Sequence, residues 1–375
     1  MVIKNTGILF SRSKTYPSAF LLLLFLSAVF LPGTGAAGDK IPLDFKSRML
    51  EGESVPVIIV LKDQPSLHAL SKENAVTSMK SLASESQKSL ASVLKDEKSR
   101  GKADKIKQFW IVNAIATEAS PELIERLAKR EDVERIELDS ELRILEVSTQ
   151  VSQGQIDSAT SEIKRINATK VWELGIDGTG INVSVIDTGI NASHPDIAGR
   201  VIKWVDFVNS NNASAYDDNG HGTHVAGTVG GNGSRGTTTG VAPNVSLFGV
   251  KVLNSAGSGT FSNVTAGIQW SVENNANVIS MSLGGGNFIN SNCDSSYTSL
   301  ANAINNAVAL NVTVIAAAGN DGSSGVSSPG CISKTIAVGA VGSSDAIASF
   351  SSTGFSMSDH GVIAPGVNIT SLNYL

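Results

Sequence analysis

Hydrophobic positions in the N-terminal part of the chain form short runs separated by charged segments. Three apolar or partly alternating runs predict strands, at residues 55–61, 109–116 and 133–142. The segment 71–100 contains many good helix formers and no Gly or Pro, and Ser120-Pro121 is a typical start for a second helix over 123–130. The order β-α-β-α-β predicts a small split-βαβ sheet with helices on one face.

The rest of the chain alternates short apolar runs with segments that suit helices. The runs predict buried strands at residues 181–186, 245–252, 278–282, 312–318 and 335–341. The segments between them predict helices at residues 221–230, 261–275 and 296–310. Because strands that alternate with helices usually form βαβ units, this part of the chain predicts a parallel α/β sheet flanked by helices.

The density of charged residues falls sharply near residue 150. It is high over residues 39–149 and low from residue 160 onward. The polar stretch 147–155 lies between these parts and carries few structure signals, as is typical of a linker. We therefore predict two folded domains, at residues 50–148 and 166–375, joined by a linker and processing region at residues 149–165.

The N-terminus has the order of a secretory signal. Basic residues precede an apolar run over residues 19–31, and Pro32, Gly33 and small residues follow it. The apolar run is shorter than the ~20 residues that span a bilayer, which argues against an uncleaved anchor. We predict a signal peptide over residues 1–37, a protein that is secreted or held at the cell surface, and no stable membrane span after signal cleavage.

Net charge and cysteine content exclude some classes of partner and of binding site. The net charge of −5 gives no electrostatic footprint for nucleic acid, so we expect no nucleic-acid partner. The two cysteines are too few for a disulfide-framework miniprotein, and they have no zinc-site spacing. Export would permit a disulfide between Cys293 and Cys331, and the alternative is two separate buried thiols.

Two segments suggest acid–base chemistry. Asp187 stands at the carboxyl end of a predicted buried strand, where catalytic groups of parallel sheets gather, although a lone Asp there is more often a turn residue. His221 begins a predicted helix and could act as a general base if Asp187 fixed its tautomer. His224 would share a helix face with His221, but no third ligand motif follows, so a metal site is disfavoured.

A third segment ends another predicted strand in Gly319-Asn320. The side-chain amide of Asn320 could donate a hydrogen bond to a developing oxyanion. Taken alone, however, Gly-Asn is an ordinary turn.

Taken together, the identity and order of Asp187, His221 and Asn320 resemble those of the subtilisin-like serine proteases, the subtilases. The motifs Ile186-Asp-Thr-Gly-Ile190 and His221-Gly-Thr-His-Val-Ala-Gly227 carry the resemblance. It implies a subtilisin-like parallel sheet and a serine endopeptidase that cleaves protein or peptide substrates without a cofactor for its chemistry. It also implies that Asp187 orients His221, that His221 is the general base and acid, and that Asn320 stabilises the oxyanion.

The resemblance further implies a substrate cleft. Two backbone edges would hold an extended peptide as an added strand: Gly257, Ser258 and Gly259 form one edge, and Ser282, Leu283 and Gly284 form the other. Ala317 and Gly319 would line the pocket for the residue before the scissile bond, called P1. Because these residues are small and uncharged, we expect a large apolar P1 side chain.

Two further features follow from the resemblance. Residues 55–145 are similar to the subtilase propeptide, a ferredoxin-like domain that assists folding and inhibits its own enzyme, and we expect self-cleavage within residues 145–158. Asp196 matches a position that binds calcium in some members. The loop 232–239 would have to supply the other ligands, and it matches poorly, so a structural calcium is only an expectation.

The family nucleophile is a serine in the motif Gly-Thr-Ser-Met-Ala, after an Ala-Pro-Gly turn. This chain has the turn at Ala364-Pro365-Gly366, and the sequence ends at Leu375 before the motif. Ser356 lies in a superficially similar segment, but it precedes the turn, and we expect it in a surface loop. We therefore expect this chain to be inactive as given, either as an incomplete protease or as a non-catalytic peptide-binding or inhibitory protein.

Overall fold

A computed structural model describes residues 40–49, 53–65, 71–145 and 159–373 of the chain. These residues belong to one compact unit that extends over residues 39–375. The predicted signal peptide at residues 1–37 and most of the predicted linker lie outside the described residues. Within the described ranges, no helix combines the length and the apolar character needed to cross a bilayer.

The N-terminal domain is built on a four-stranded antiparallel sheet with the strand order β2-β3-β1-β4. Its elements are α1 (Leu43–Met49), β1 (Val55–Leu61), α2 (Lys72–Ser86), α3 (Lys88–Ser99), β2 (Ala103–Phe109), β3 (Ala114–Ala119), α4 (Pro121–Ala128) and β4 (Val133–Leu138). Helices α3 and α4 cover one face, where Leu94 and Leu127 pack on Ile59. Helix α2 instead joins the hydrophobic cluster of the opposite face, with Met79 and Ile58, so the prediction of helices on one face is wrong for α2.

Two predicted elements of this domain differ from the structure. The helix predicted over residues 71–100 is two helices that meet at Gln87, whose buried amide donates to the backbone oxygen of Phe109 over 2.8 Å. The strand predicted over 109–116 is wrong, because residues 110–113 form the turn between β2 and β3. The turn is apolar because it packs against the C-terminal domain: Gln269 there accepts hydrogen bonds from the N–H groups of Trp110 and Ile111 over 2.7 and 3.2 Å.

The C-terminal domain contains a seven-stranded parallel sheet with the order β15-β14-β12-β10-β6-β8-β7. Its strands are β6 (Asn182–Asp187), β7 (Val201–Asp206), β8 (Ser246–Lys251), β10 (Val278–Met281), β12 (Thr313–Ala317), β14 (Ile336–Val341) and β15 (Gly361–Pro365). Its helices are α5 (Ser161–Arg165), α6 (Ala168–Glu173), α7 (His221–Gly230), α8 (Phe261–Glu273), α9 (Thr298–Ala309) and α10 (Phe355–His360), with a short 3-10 helix at Gly322–Ser324. The predicted parallel α/β sheet is confirmed.

The central strands β6 and β8 are buried on both faces of the sheet. Adjacent residues of β6 point to opposite sides, as in any strand. Val185 packs in a cluster with Ala226 of α7, whereas Ile186 packs in the larger cluster with Ile268 of α8 and Ile304 of α9. Strands buried in this way need continuous apolar runs, and such runs located β6, β8, β10, β12 and β14, whereas the edge strands β7 and β15 were not predicted.

A third sheet joins the two domains. It contains β13 (Val326–Ser328), β11 (Leu283–Phe288), β5 (Glu141–Ile144) and β9 (Ser258–Thr260) in that spatial order, and all of its pairs are antiparallel. Strand β5 comes from the N-terminal domain and the other three come from the C-terminal domain. The run predicted as one strand over 133–142 is thus divided between two sheets.

Three other regions bear on the sequence interpretation. A disulfide joins Cys293 and Cys331, both of which are fully buried. The end of the predicted linker is structured, since Ala159 bridges to Thr238 and α5 follows it. Ser356 lies in α10 and is fully buried, so the expectation of a surface loop is wrong. Its hydroxyl donates to Oδ1 of Asn292 over 2.7 Å.

Candidate active site

The sheet brings Asp187 and His221 together. Asp187 is the last residue of β6 and His221 is the first residue of α7. Nδ1 of His221 lies 2.7 Å from Oδ1 of Asp187. The carboxylate is fully buried, and the imidazole is 18% exposed. Because a carboxylate accepts hydrogen bonds, the pair places a proton on Nδ1 and makes Nε2 the basic nitrogen of the ring.

The start of α7 depends on two glycines and one carboxylate. Gly220 has φ of +105°, a conformation that glycine adopts without strain. A Cβ at Gly222 would lie 2.1 Å from the backbone oxygen of Gly189, so the loop after β6 can approach the helix only at glycine. Asp217 accepts hydrogen bonds from the N–H groups of Gly220 and Thr223, each over 2.9 Å, and its charge suits the helix N-terminus.

Thr188 connects the two halves of the pair. Its N–H donates to Oδ1 of Asp187 over 2.7 Å, and its hydroxyl donates to Asp217 over 2.9 Å. The same hydroxyl accepts from the N–H of Gly222 over 2.9 Å. Sequence reasoning missed the roles of Thr188 and Asp217, although Thr188 stands inside the Asp187 motif and Asp217 lies just before the His221 motif.

Asn320 lies beside the same cavity as His221. The cavity has a volume of about 690 Å³ and is bordered by the carboxyl ends of the central strands and by α7. Predicted site residues that line it are His221, Ser282, Ala317, Gly319 and Asn320, and Leu145 of the N-terminal domain lines it as well. The structure thus gathers the predicted base, the predicted oxyanion donor and the predicted P1 pocket around one space.

The two predicted edges of the cleft hold a strand. Leu142 and Arg143 of β5 pair with Gly259 and Ser258 of β9, and on the other side Arg143 pairs with Gly284 of β11. The pairing continues beyond these residues. Ile144 pairs with Leu283, and its N–H donates to the backbone oxygen of Gly257 over 2.9 Å.

The side chains of this strand indicate what the cleft accepts. Leu142 is fully buried. A Cβ at Gly257 would come within 2.7 Å of the Ile144 side chain, and Leu145 reaches the cavity beside Ala317. The cleft therefore holds an extended segment through main-chain pairing, with apolar contacts from Leu142, Ile144 and Leu145.

Asp196, the expected calcium ligand, is held by hydrogen bonds from two arginines. It is buried, but its Oδ1 accepts a hydrogen bond from the N–H of Arg235 over 2.7 Å, and its backbone oxygen accepts from the guanidinium of Arg200. Calcium takes six to eight oxygen ligands, which carboxylates, backbone carbonyls, amide side chains and water can supply. Over residues 40–49, 53–65, 71–145 and 159–373, no three His, Cys, Asp or Glu side chains are grouped as a metal ion would need.

Two carboxylates of the N-terminal domain are buried against helices of the C-terminal domain. Oε2 of Glu137 accepts hydrogen bonds from Ser299 at the start of α9, and Oδ1 of Asp139 accepts one from the N–H of Ser262 at the start of α8, over 2.8 Å. Burial raises the pKa of both Glu137 and Asp139. These contacts could not be found from sequence, because each partner lies more than a hundred residues away.

His224 is structural in this arrangement. Its Nε2 lies 3.3 Å from the backbone oxygen of Ile369, and burial lowers the pKa of its imidazole. The ring therefore contacts the backbone and takes no position in the His221–Asp187 pair.

Family comparisons agree with this geometry. The model of the subtilase family matches residues 178–375, and the model of the peptidase inhibitor I9 family matches residues 56–145. The first match ends just after β5, and α5 and α6 lie between the two matches.

Several bacterial proteins are similar to this chain. Subtilisin amylosacchariticus of Bacillus subtilis subsp. amylosacchariticus is 40% identical over 269 residues, which cover 71% of this chain and 65% of that protein. Subtilisin DY of Bacillus licheniformis is 46% identical over 213 residues, or 56% of this chain and 73% of the relative. An alkaline protease of Alkalihalobacillus alcalophilus is 35% identical over 264 residues, with 70% and 63% covered. The match spans less than two thirds of the length of the first and third relatives. Because the subtilase model matches more than half of this chain, the chain belongs to the subtilase family.

Proposed function

We propose that the complete protein is a secreted serine endopeptidase, synthesised as a precursor whose N-terminal domain occupies the substrate cleft. One observation carries this proposal. Strand β5 lies between β9 and β11 as a substrate would, and the residues at its end, Ile144 and Leu145, line the cavity that also contains His221 and Asn320. Propeptide, cleft and acid–base pair are therefore assembled as one inhibited unit.

The chemistry follows from the proposed roles. A serine hydroxyl attacks the carbonyl carbon of the scissile bond, and its proton passes to Nε2 of His221. Asp187 holds the tautomer and stabilises the imidazolium, while Asn320 donates to the oxyanion. The C–N bond breaks as His221 returns the proton to the leaving amine, and water then hydrolyses the acyl-enzyme by the same steps. We assign no nucleophile among the described residues.

The bound strand indicates the substrate class. Leu145 borders the cavity beside Ala317 and Gly319, so we propose that the enzyme cleaves after large apolar residues. Leu142 is buried three residues earlier, which adds an aliphatic preference at that position. On the same grounds, the bond after Leu145 is the proposed site of self-cleavage.

Secretion and cofactor use belong to the same proposal. The signal at residues 1–37 would direct export, to the medium or to the cell surface. The proposed reaction uses no cofactor, and a structural calcium near Asp196 stays a prediction.

A second candidate function is peptide binding without cleavage. It is favoured by one observation: the cleft already holds β5 by backbone pairing on both sides, which requires no nucleophile. An inhibitory or peptide-binding product of this chain would act through that contact alone.

Hydrolysis by the protein expressed from its complete reading frame distinguishes the two functions. We expect cleavage after Leu in a panel of peptides that differ only at P1. Asn320→Ala should lower kcat by about 10²- to 10³-fold, and Asp187→Asn by on the order of 10⁴-fold. Preferred cleavage after Arg or Asp would refute the proposed specificity. Tight peptide binding with no hydrolysis would establish the second function instead.

A further inference from the structure

A lysine ammonium is buried beside the Asp187–His221 pair. Lys251 is the last residue of β8, and the sheet register places it opposite Asp187 of β6. Its side chain is completely buried. Burial of an ammonium is costly unless all three of its N–H donors are bonded, so the contacts of this side chain should be specific.

Three oxygen atoms surround Nζ of Lys251. It donates to the backbone oxygen of Thr188 over 2.5 Å and to the backbone oxygen of Leu253 over 2.9 Å. It also pairs with Oδ1 of Asp218 over 2.5 Å. Nζ also lies over the ring of Tyr216, 5.3 Å from the ring centroid. Three acceptors match the three donors of the ammonium.

The three acceptors belong to three different parts of the site. Thr188 directly follows Asp187. Asp218 stands in the loop that leads to His221. Leu253 begins the segment that leads to β9, the edge of the substrate cleft. One ammonium therefore joins the strand that carries the carboxylate, the loop that carries the base and the edge that holds the peptide.

The backbone around Asp187 depends on the same end of β8. The N–H groups of Val252 and Leu253 both donate to the backbone oxygen of Asp187, over 2.9 and 3.2 Å. A shift of Thr188 would also move its hydroxyl away from the N–H of Gly222, the second residue of α7. Loss of the ammonium would thus be transmitted to both partners of the pair.

We propose that Lys251 is a positioning residue, which holds the Asp187–His221 hydrogen bond by fixing Thr188 and the Asp218 loop from within the protein. The inference rests on the proposed function for the use of the pair, but its geometry does not require hydrolysis. Its test can therefore be made on the chain as it stands.

The test follows the Nδ1 proton of His221 by NMR in the full chain labelled with ¹⁵N-histidine. The resonance is assigned by its loss in His221→Gln. In Lys251→Met, which has similar bulk and no donors, we expect the resonance to shift and its exchange with water to become about tenfold faster, because a charge-assisted contact is lost. An unchanged resonance and exchange rate in a folded Lys251→Met protein would overturn the proposal.

Two further variants complete the design. Lys203→Met removes a lysine of the adjacent strand β7 that contacts Asn274, and it should leave the resonance unchanged; an equal effect there would contradict a specific role. Asp218→Ala removes only the contact to the His221 loop and should accelerate exchange by less than Lys251→Met. If Lys251→Met does not fold, Asp218→Ala decides: faster exchange supports the proposal and unchanged exchange overturns it. A complete protein without peptidase activity would refute the proposed function and leave this result standing.

Discussion

Glu137 accepts two hydrogen bonds from Ser299, one from the backbone N–H over 3.2 Å and one from the hydroxyl over 2.6 Å. Because Glu137 belongs to β4 and Ser299 to the first turn of α9, the contact joins the N-terminal domain to the C-terminal domain. The carboxylate of Glu137 is buried, and Nε of Arg135 lies 3.0 Å from its Oε1.

This contact predicts a pH dependence of stability. Burial, outweighing the hydrogen bonds to Ser299, raises the pKa of Glu137 above its ordinary value of 4.5. The contribution to the free energy of unfolding is therefore fully present below that ordinary value and is lost as the pH rises through the folded-state pKa. Glu137→Gln should flatten this part of the profile in urea denaturation. Glu134→Gln, at an exposed position on the same strand, should not; an equal flattening there would contradict the assignment.

Gly257→Ala should loosen the strand held in the cleft. Gly257 has φ of +74°, and an added Cβ would come within 2.7 Å of Ile144. The backbone strain alone should cost about 1 to 2 kcal/mol of unfolding free energy. Gly101→Ala is a matched control, since Gly101 has φ of +71° with open space around it. The excess loss in Gly257→Ala measures the contact with Ile144 and should shrink in the Ile144→Ala background; an equal loss in both glycine variants would contradict the predicted contact.

Replacement of both cysteines should destabilise the C-terminal domain. The disulfide closes a loop with a sequence separation of 38 residues. In the chain-entropy model, such a cross-link contributes roughly 4 kcal/mol by limiting the unfolded ensemble. Chemical denaturation of Cys293→Ala/Cys331→Ala should show a loss of that order. A midpoint identical to that of the parent protein would show that the cross-link contributes nothing.

The 375-residue chain should not react with a fluorophosphonate probe at Ser356. The hydroxyl is fully buried and bonded to Asn292, so it has neither the exposure nor the adjacent base that an activated serine needs. Mass spectrometry after labelling gives the measurement. A modified peptide that contains Ser356, lost in Ser356→Ala, would reverse this interpretation.

The strength of the sequence prediction varied with how local the signal was. Helix α7 and strand β1 have the predicted bounds, because a glycine-flanked motif and a continuous apolar run each determine their own structure. Residues 110–113 misled the strand prediction because they are buried against another domain and not in a sheet. Ser356 was misplaced for a similar reason: a short polar segment gave no sign of the burial that its neighbours impose.

Single polar residues were the hardest to interpret. Lys251 ends a largely apolar strand, and Glu137 stands in a strand with other charged residues. Nothing in either local pattern distinguishes these two side chains from exposed charges. Their structural roles depend on partners such as Asp218 and Ser299, which come close only in the folded chain. Asp187 and His221 were recognisable because each stands in its own specific motif, although the two motifs are far apart in the sequence.

Strand β5 also limits how the specificity of the proposed enzyme can change. It is the part of the N-terminal domain that lies in the cleft, and it pairs with the same backbone edges, β9 and β11, that a substrate would use. A substitution that reshapes the cleft for a new substrate will also displace the chain's own strand. Efforts to redesign the cleft should therefore alter residues 142–145 in the same variant, so that the new pocket is still filled by the segment that is made with it.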